Sequence, residues 1–185
     1  MTSPADDRAA AAIRRSRDQV VARGWNPDSA TGATDAQIDR WAAEQGVETV
    51  PAAVREVLRL IGEDPGIWFS GTSFGVRMVD AATKRDALGC FDDAETVPLR
   101  APADLLVIAE AGAYSYVVVD GGDLLRADPP LWLLHETGRA ERRWESVTAW
   151  FALRAAGVIE RGRKLAERRA EGRPDLARES HFHSD

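Results

Sequence analysis

The chain has 185 residues, 44% of them apolar and 29% charged, with 30 acidic against 24 basic side chains and a formal charge of −6. This is the balance of an ordinary globular domain, long enough to close a core without a metal or disulfide, and its net acidity disfavours non-specific binding to nucleic acid, which requires phosphate neutralisation by Lys and Arg. No apolar run approaches the roughly 20 residues of a bilayer span, and the single cysteine, Cys90, cannot form an internal disulfide, as expected in a reducing compartment.

At the amino terminus Ser3 suits a helix cap, Pro4 the first helical position, and Asp6 and Asp7 the positive helix end, with Gly24 as terminator. Two acids so early do not make the basic region of a secretory signal, so a cytoplasmic location is expected. The apolar face of this helix (Ala9, Ile13, Val20, Val21) is thin and alanine-rich, which predicts a peripheral element, and residues 24–33 have linker chemistry. Residues 1–33 are thus read as an N-terminal helix and linker. Thr34 and Gln37 form a capping box ahead of Ile38, Trp41 and Ala42; Gly46 closes that helix, and Pro51 opens another that carries Val54, Val57, Leu58 and Ile61.

After Gly66 the period changes. Residues 67–69 and 74–79 read as short strands around a Gly-Thr-Ser turn, and the polar stretch 80–95 as a short helix or exposed loop. Residues 105–109 and 114–119 predict a β-hairpin, residues 120–123 a turn and residues 131–135 a last strand. Ser146 caps a long helix with Val147, Trp150, Phe151, Val158 and Leu165 inward, whose apolar stripe fails beyond Arg161. The expected fold class is α+β, with N-terminal helices, a central mostly antiparallel sheet and a closing C-terminal helix over residues 34–153. Residues 154–185 are then a helical extension whose last part, 171–185, is expected to be disordered. Phosphate-cradling glycine loops and internal repeats are absent from the sequence.

The chemistry-bearing candidates are few. Residues 71–75 match the Gly-x-Ser-x-Gly pattern around Ser73, but a serine hydrolase needs a strand before that serine and a helix after it; here a strand pattern follows, and the only internal histidine, His135, lies in another strand. A turn is the simpler reading. His181, His183 and Asp185 offer metal-binding atoms at a chain end without a nearby cysteine, where a solvated tail is expected rather than a rigid four-ligand site. No catalytic, cofactor-binding or metal-binding residue is therefore expected, and no cofactor. Of the six tryptophans, Trp41 and Trp150 fall on inner helix faces, while Trp25 and Trp144 fall near element ends, from which an indole can also anchor an interface. Charge is uneven: residues 34–153 hold 20 acids against 11 basic residues, between mildly basic ends. An acidic body favours a basic protein partner. The acidic clusters that would present it are Asp92, Asp93 and Glu95, with Asp120 and Asp123.

Residues 38–47 (Ile-Asp-Arg-Trp-Ala-Ala-Glu-Gln-Gly-Val) and 50–58 (Val-Pro-Ala-Ala-Val-Arg-Glu-Val-Leu) resemble the opening helices of the SUKH superfamily, the Smi/Knr group named for a fungal cell-wall-synthesis regulator. Residues 106–112 and 116–120 are similar to its central hairpin, 130–136 to its following strand and 146–153 to its closing helix. The turn many members carry as Asn-Gly-Gly is Gly-Glu-Asp-Pro-Gly at 62–66 here, and the terminal extensions lie outside the similar region. The resemblance implies an α+β fold without catalysis. It also implies a cytosolic bacterial immunity protein that binds and neutralises a secreted polymorphic toxin, often a nuclease; the arginine-rich usage, with only Lys84 and Lys164, fits a high-GC bacterial source. Eukaryotic relatives act as interaction scaffolds, so a regulatory or scaffold role for an endogenous partner is the alternative, and hydrolysis through Ser73 a remote one. Binding surfaces vary within the family, so no residue role carries over.

Overall fold

The structure, a computed structural model, describes residues 3–91 and 98–183. It is an α+β arrangement in which helices pack on a five-stranded antiparallel meander. The strands are β1 (Ser73–Phe74), β2 (Leu106–Ala111), β3 (Ser115–Val119), β4 (Leu131–His135) and β5 (Ala140–Trp144), adjacent in that order. The helices are α1 (Pro4–Val21), α2 (Asp35–Glu44), α3 (Ala52–Ile61), α4 (Ala81–Gly89), α5 (Val147–Ala170) and a single turn, α6 (Leu176–Glu179).

Local capping follows the sequence. Ser3 and Asp6 close a reciprocal box on α1, and Thr34 and Gln37 do the same on α2, where Gln37 Oε1 accepts the Thr34 N–H at 2.7 Å. Yet α1 is not peripheral. It lies across α3 and α5, and Ile13 and Val20 are completely buried. Its small alanine face allows the close approach that a bulkier stripe would prevent.

Both faces of the sheet are covered. Leu106, Ile108, Ala109, Val117 and Val119 join the larger core with α1, α2, α3 and α5, whereas Leu105, Val107, Tyr116, Val118 and Leu134 join a smaller cluster with Val79, Ala87 and Leu99. Burial on two sides explains the unbroken apolar run in β2. A register shift between Val107 and Ala109 makes Ile108 an extra residue, so that Ile108 and Ala109 face the same core. Beside this bulge the buried Gln45 side chain stands in for a strand: its Oε1 accepts the Val107 N–H at 3.0 Å and its Nε2 donates to Val107 O at 3.2 Å.

Three further expectations give way. Residues 66–69 form a 3-10 turn rather than a strand, and β1 shrinks to two residues. Ile67, Trp68 and Phe69 are all buried, which an alternating strand at this edge would not permit; Gly75, at φ 81°, then crosses so close to Gly62 that a Cβ would lie 2.1 Å from its carbonyl oxygen. Next, β5 was not expected, because Ala-Glu-Arg-Arg-Trp carries no alternation; it forms because the turn at Gly138 folds it back onto β4. Finally, the tail is not loose over its described length. Asn26 donates to His181 O at 2.9 Å, His183 to Gly24 O at 2.8 Å, and Arg169 binds Glu179 through two nitrogens at 2.9 and 3.0 Å. Phe182 seats over Gly162, where a Cβ would meet its ring at 2.5 Å. A glycine inside a helix costs about 1 kcal/mol, and at Gly162 the vacancy receives this ring. Trp25 is core as well, edge-on to Trp68 with ring centroids 5.4 Å apart.

Replacing Gln45 by Leu leaves the Val107 N–H and C=O without partners in a dry interior. Urea unfolding of Gln45→Leu is expected to show a loss of roughly 2–4 kcal/mol, with the midpoint lowered and the slope unchanged.

Candidate functional site

Of the acidic residues read as a partner-facing cluster, Asp92, Asp93 and Glu95 lie outside the described residues. Asp120 and Asp123 turn inward. Asp120 is 1% exposed, and its carboxylate accepts the backbone N–H groups of Arg100, Ala101 and Gly122 at 2.8, 2.9 and 3.2 Å. Asp123 is buried too, paired with Arg100 and with Arg126 at 3.3 Å. The charges that reach water at this corner are the arginine heads, so these two aspartates contribute no anionic face of their own. The sequence signal was the turn itself: an Asp ahead of Gly-Gly is suited to bonding the backbone two residues on.

The Ser73 motif does not form a nucleophile elbow. Ser73 opens the two-residue β1, and Phe74 leads into the turn at 75–79 instead of a helix. His135, on β4, is three strands away, about 14 Å at the usual strand spacing. Among the described residues no group of three or more His, Cys, Asp or Glu side chains is placed to hold a metal ion. Nor is any helix among them long and apolar enough to cross a membrane.

The open surface of most interest flanks the loop that follows Asp123. Leu124 and Leu125 form a ridge between two clefts. One, of about 380 Å³, lies against the starts of α1 and α3; the other, of about 340 Å³, runs along Gly46, Val47, Glu48 and Thr49 to Asp104. Leu125 is 89% exposed. Asp6 and Asp7 line the first cleft together with three arginines that are paired: Arg14 with Glu56 at 2.8 Å, Arg55 with Asp39 at 2.6 Å and Arg59 with Asp35 at 2.8 Å. Burial tends to raise the Asp35 pKa, but hydrogen bonds from Arg59 and Arg55 outweigh it and hold the carboxyl below its ordinary 3.8. These pairs fix part of the polar rim beside the exposed Leu125.

A buried amine sits behind the second cleft. Lys84 is 8% exposed and donates from Nζ to Gln45 O at 2.6 Å, at the carbonyl end of α2. Burial lowers its pKa below 10.5, and Asp104 draws it partly back. No family model, curated protein or solved structure matches this chain.

Because the unfolded chain binds the Lys84 proton more tightly than the folded one, the burden of burying that charge lifts as pH rises from the lowered folded value toward 10.5. The unfolding free energy of wild type minus that of Lys84→Met is therefore expected to increase through this alkaline window and to level off above it, as read from denaturant midpoints at stepped pH.

Proposed function

We propose that this chain is a non-catalytic protein-recognition module, and specifically an immunity-type protein that neutralises a bacterial toxin by occluding its functional surface. The observation that carries the reading is the Leu124–Leu125 ridge: a leucine almost wholly in water, set between two open clefts, with Arg14, Arg55, Arg59 and Arg126 beside it already held in ion pairs. Burial of one such side chain under a partner contributes about 2 kcal/mol, enough to make it a central anchor while the charged rim excludes water and sets orientation. The toxin-directed part of the proposal draws on the SUKH-like order of motifs. The terminal extensions that favour a scaffold role pack on the domain itself, so stability accounts for them.

Co-expression with the toxin encoded beside its gene is expected to restore growth, and Leu125→Asp to abolish that rescue while the melting temperature changes by no more than about 1–2 °C, since the side chain supports nothing internal. Equal toxicity with and without the wild-type protein would sink the proposal.

A further inference from the structure

On the flank of α5 that faces the 3-10 turn at 66–69, two arginines stand without an acid among the described residues. The Arg154 guanidinium lies over the Phe69 ring at 5.0 Å and the Trp150 ring at 5.8 Å, and among the described residues it makes no hydrogen bond or ion pair. Arg161 donates to Ile67 O at 2.6 Å and reaches Ser70 Oγ at 3.4 Å, again with no carboxylate among its partners. Half-buried cations are ordinarily paired. Among the described residues thirteen other arginines do meet an acid, including the half-buried Arg17 and Arg55. Burial lowers the Arg154 pKa, and the charged neighbour acting on it is a second cation, Arg161, which lowers it further.

Between them the helix has a gap. Seven residues separate Arg154 from Arg161, about 10 Å along the axis, and Gly157 lies between them on the same flank. A Cβ at Gly157 would meet nothing within 4 Å. Unlike Gly162, which makes room for Phe182, this glycine answers to no internal contact, yet it weakens the helix; an open notch there lets another molecule approach the backbone. Leu153, 63% exposed, borders the notch.

We propose that Arg154, Arg161 and Ser70 form a docking site for a carboxylate presented by a protein partner, with Gly157 giving it room and Leu153 packing against the apolar stem that carries it. The two rings offer the Arg154 guanidinium no hydrogen-bond acceptor, and a planar fork matches a carboxylate through two parallel hydrogen bonds. An apolar border beside the cations suits the stem of an Asp or Glu side chain, and two cations about 10 Å apart do not make the long basic stripe that nucleic acid requires. The site depends on the protein-recognition reading only for the source of its carboxylate, and it is separate from the leucine ridge.

The test titrates the full chain with acetylated, amidated tetraglutamate peptide and, separately, with inorganic phosphate, following the Arg side-chain Nε–H resonances by NMR. The peptide is expected to shift Arg154 and Arg161 together and saturably, with a Kd on the order of 1 mM. Arg154→Lys, which keeps the charge but loses the planar fork, is expected to weaken binding about tenfold, and Leu125→Asp to leave it unchanged, so that failure of the ridge and failure of this site are distinguishable. Absence of a saturable shift in the wild-type resonances overturns the proposal without reliance on any variant. Phosphate binding tighter than the peptide also overturns it, in favour of a phosphate site.

Discussion

The arrangement of aromatic rings between the 66–74 segment and α5 governs much of the rest. Trp68 stacks on Phe151 at a centroid distance of 4.8 Å while receiving the edge of Trp25, and Phe69 stacks on Phe74 at 3.9 Å beneath Trp150. These contacts pin a segment with almost no strand character to the longest helix, bring the end of α1 into the core and hold the shelf on which Arg154 lies. Aromatic pairs contribute on the order of 1 kcal/mol each beyond the area they bury, and here the same few rings join three parts of the chain that are distant in sequence.

Charge is organised by a comparable economy. A chain with 30 acids directs several of them inward: Asp120 onto three backbone N–H groups, Asp123 onto two arginines, Glu56 onto Arg14 and Arg59. Buried carboxylates of this kind close loops and helix seams, because removing one partner would strand the other in a dry setting. The surface potential therefore differs from the one that a count along the sequence suggests. The corner around residues 120–126 presents arginine heads and two leucines, and the flank of α5 presents Arg154 and Arg161, which meet no acid among the described residues.

The polar replacements inside the sheet follow the same physics. β1 is too short to satisfy the outer edge of β2, and the Gln45 amide supplies both the acceptor and the donor that Val107 requires. Lys84 then holds the Gln45 carbonyl, so a single chain of hydrogen bonds links α4, the end of α2 and the bulge in β2. Stability and the shape of the cleft along residues 46–49 are set together at this seam.

The cap at Ser3, the capping box at Thr34, the hairpin of β2 and β3, the Asp120 turn and the start of α5 at Ser146 were all legible in the sequence, because each depends on neighbours within a few residues. The α+β class follows from their order. What only the tertiary structure decided depends on partners far along the chain: β5 forms against β4 despite a polar sequence, Ile67, Trp68 and Phe69 turn inward together, and Phe182 finds Gly162 twenty residues earlier. The candidate surfaces belong to this second group. An acidic residue reads the same whether it faces water or a backbone amide, and an arginine the same whether or not a carboxylate meets it. Local periodicity fixes which residues lie on one side of a helix or strand, but burial and pairing are properties of the assembled chain.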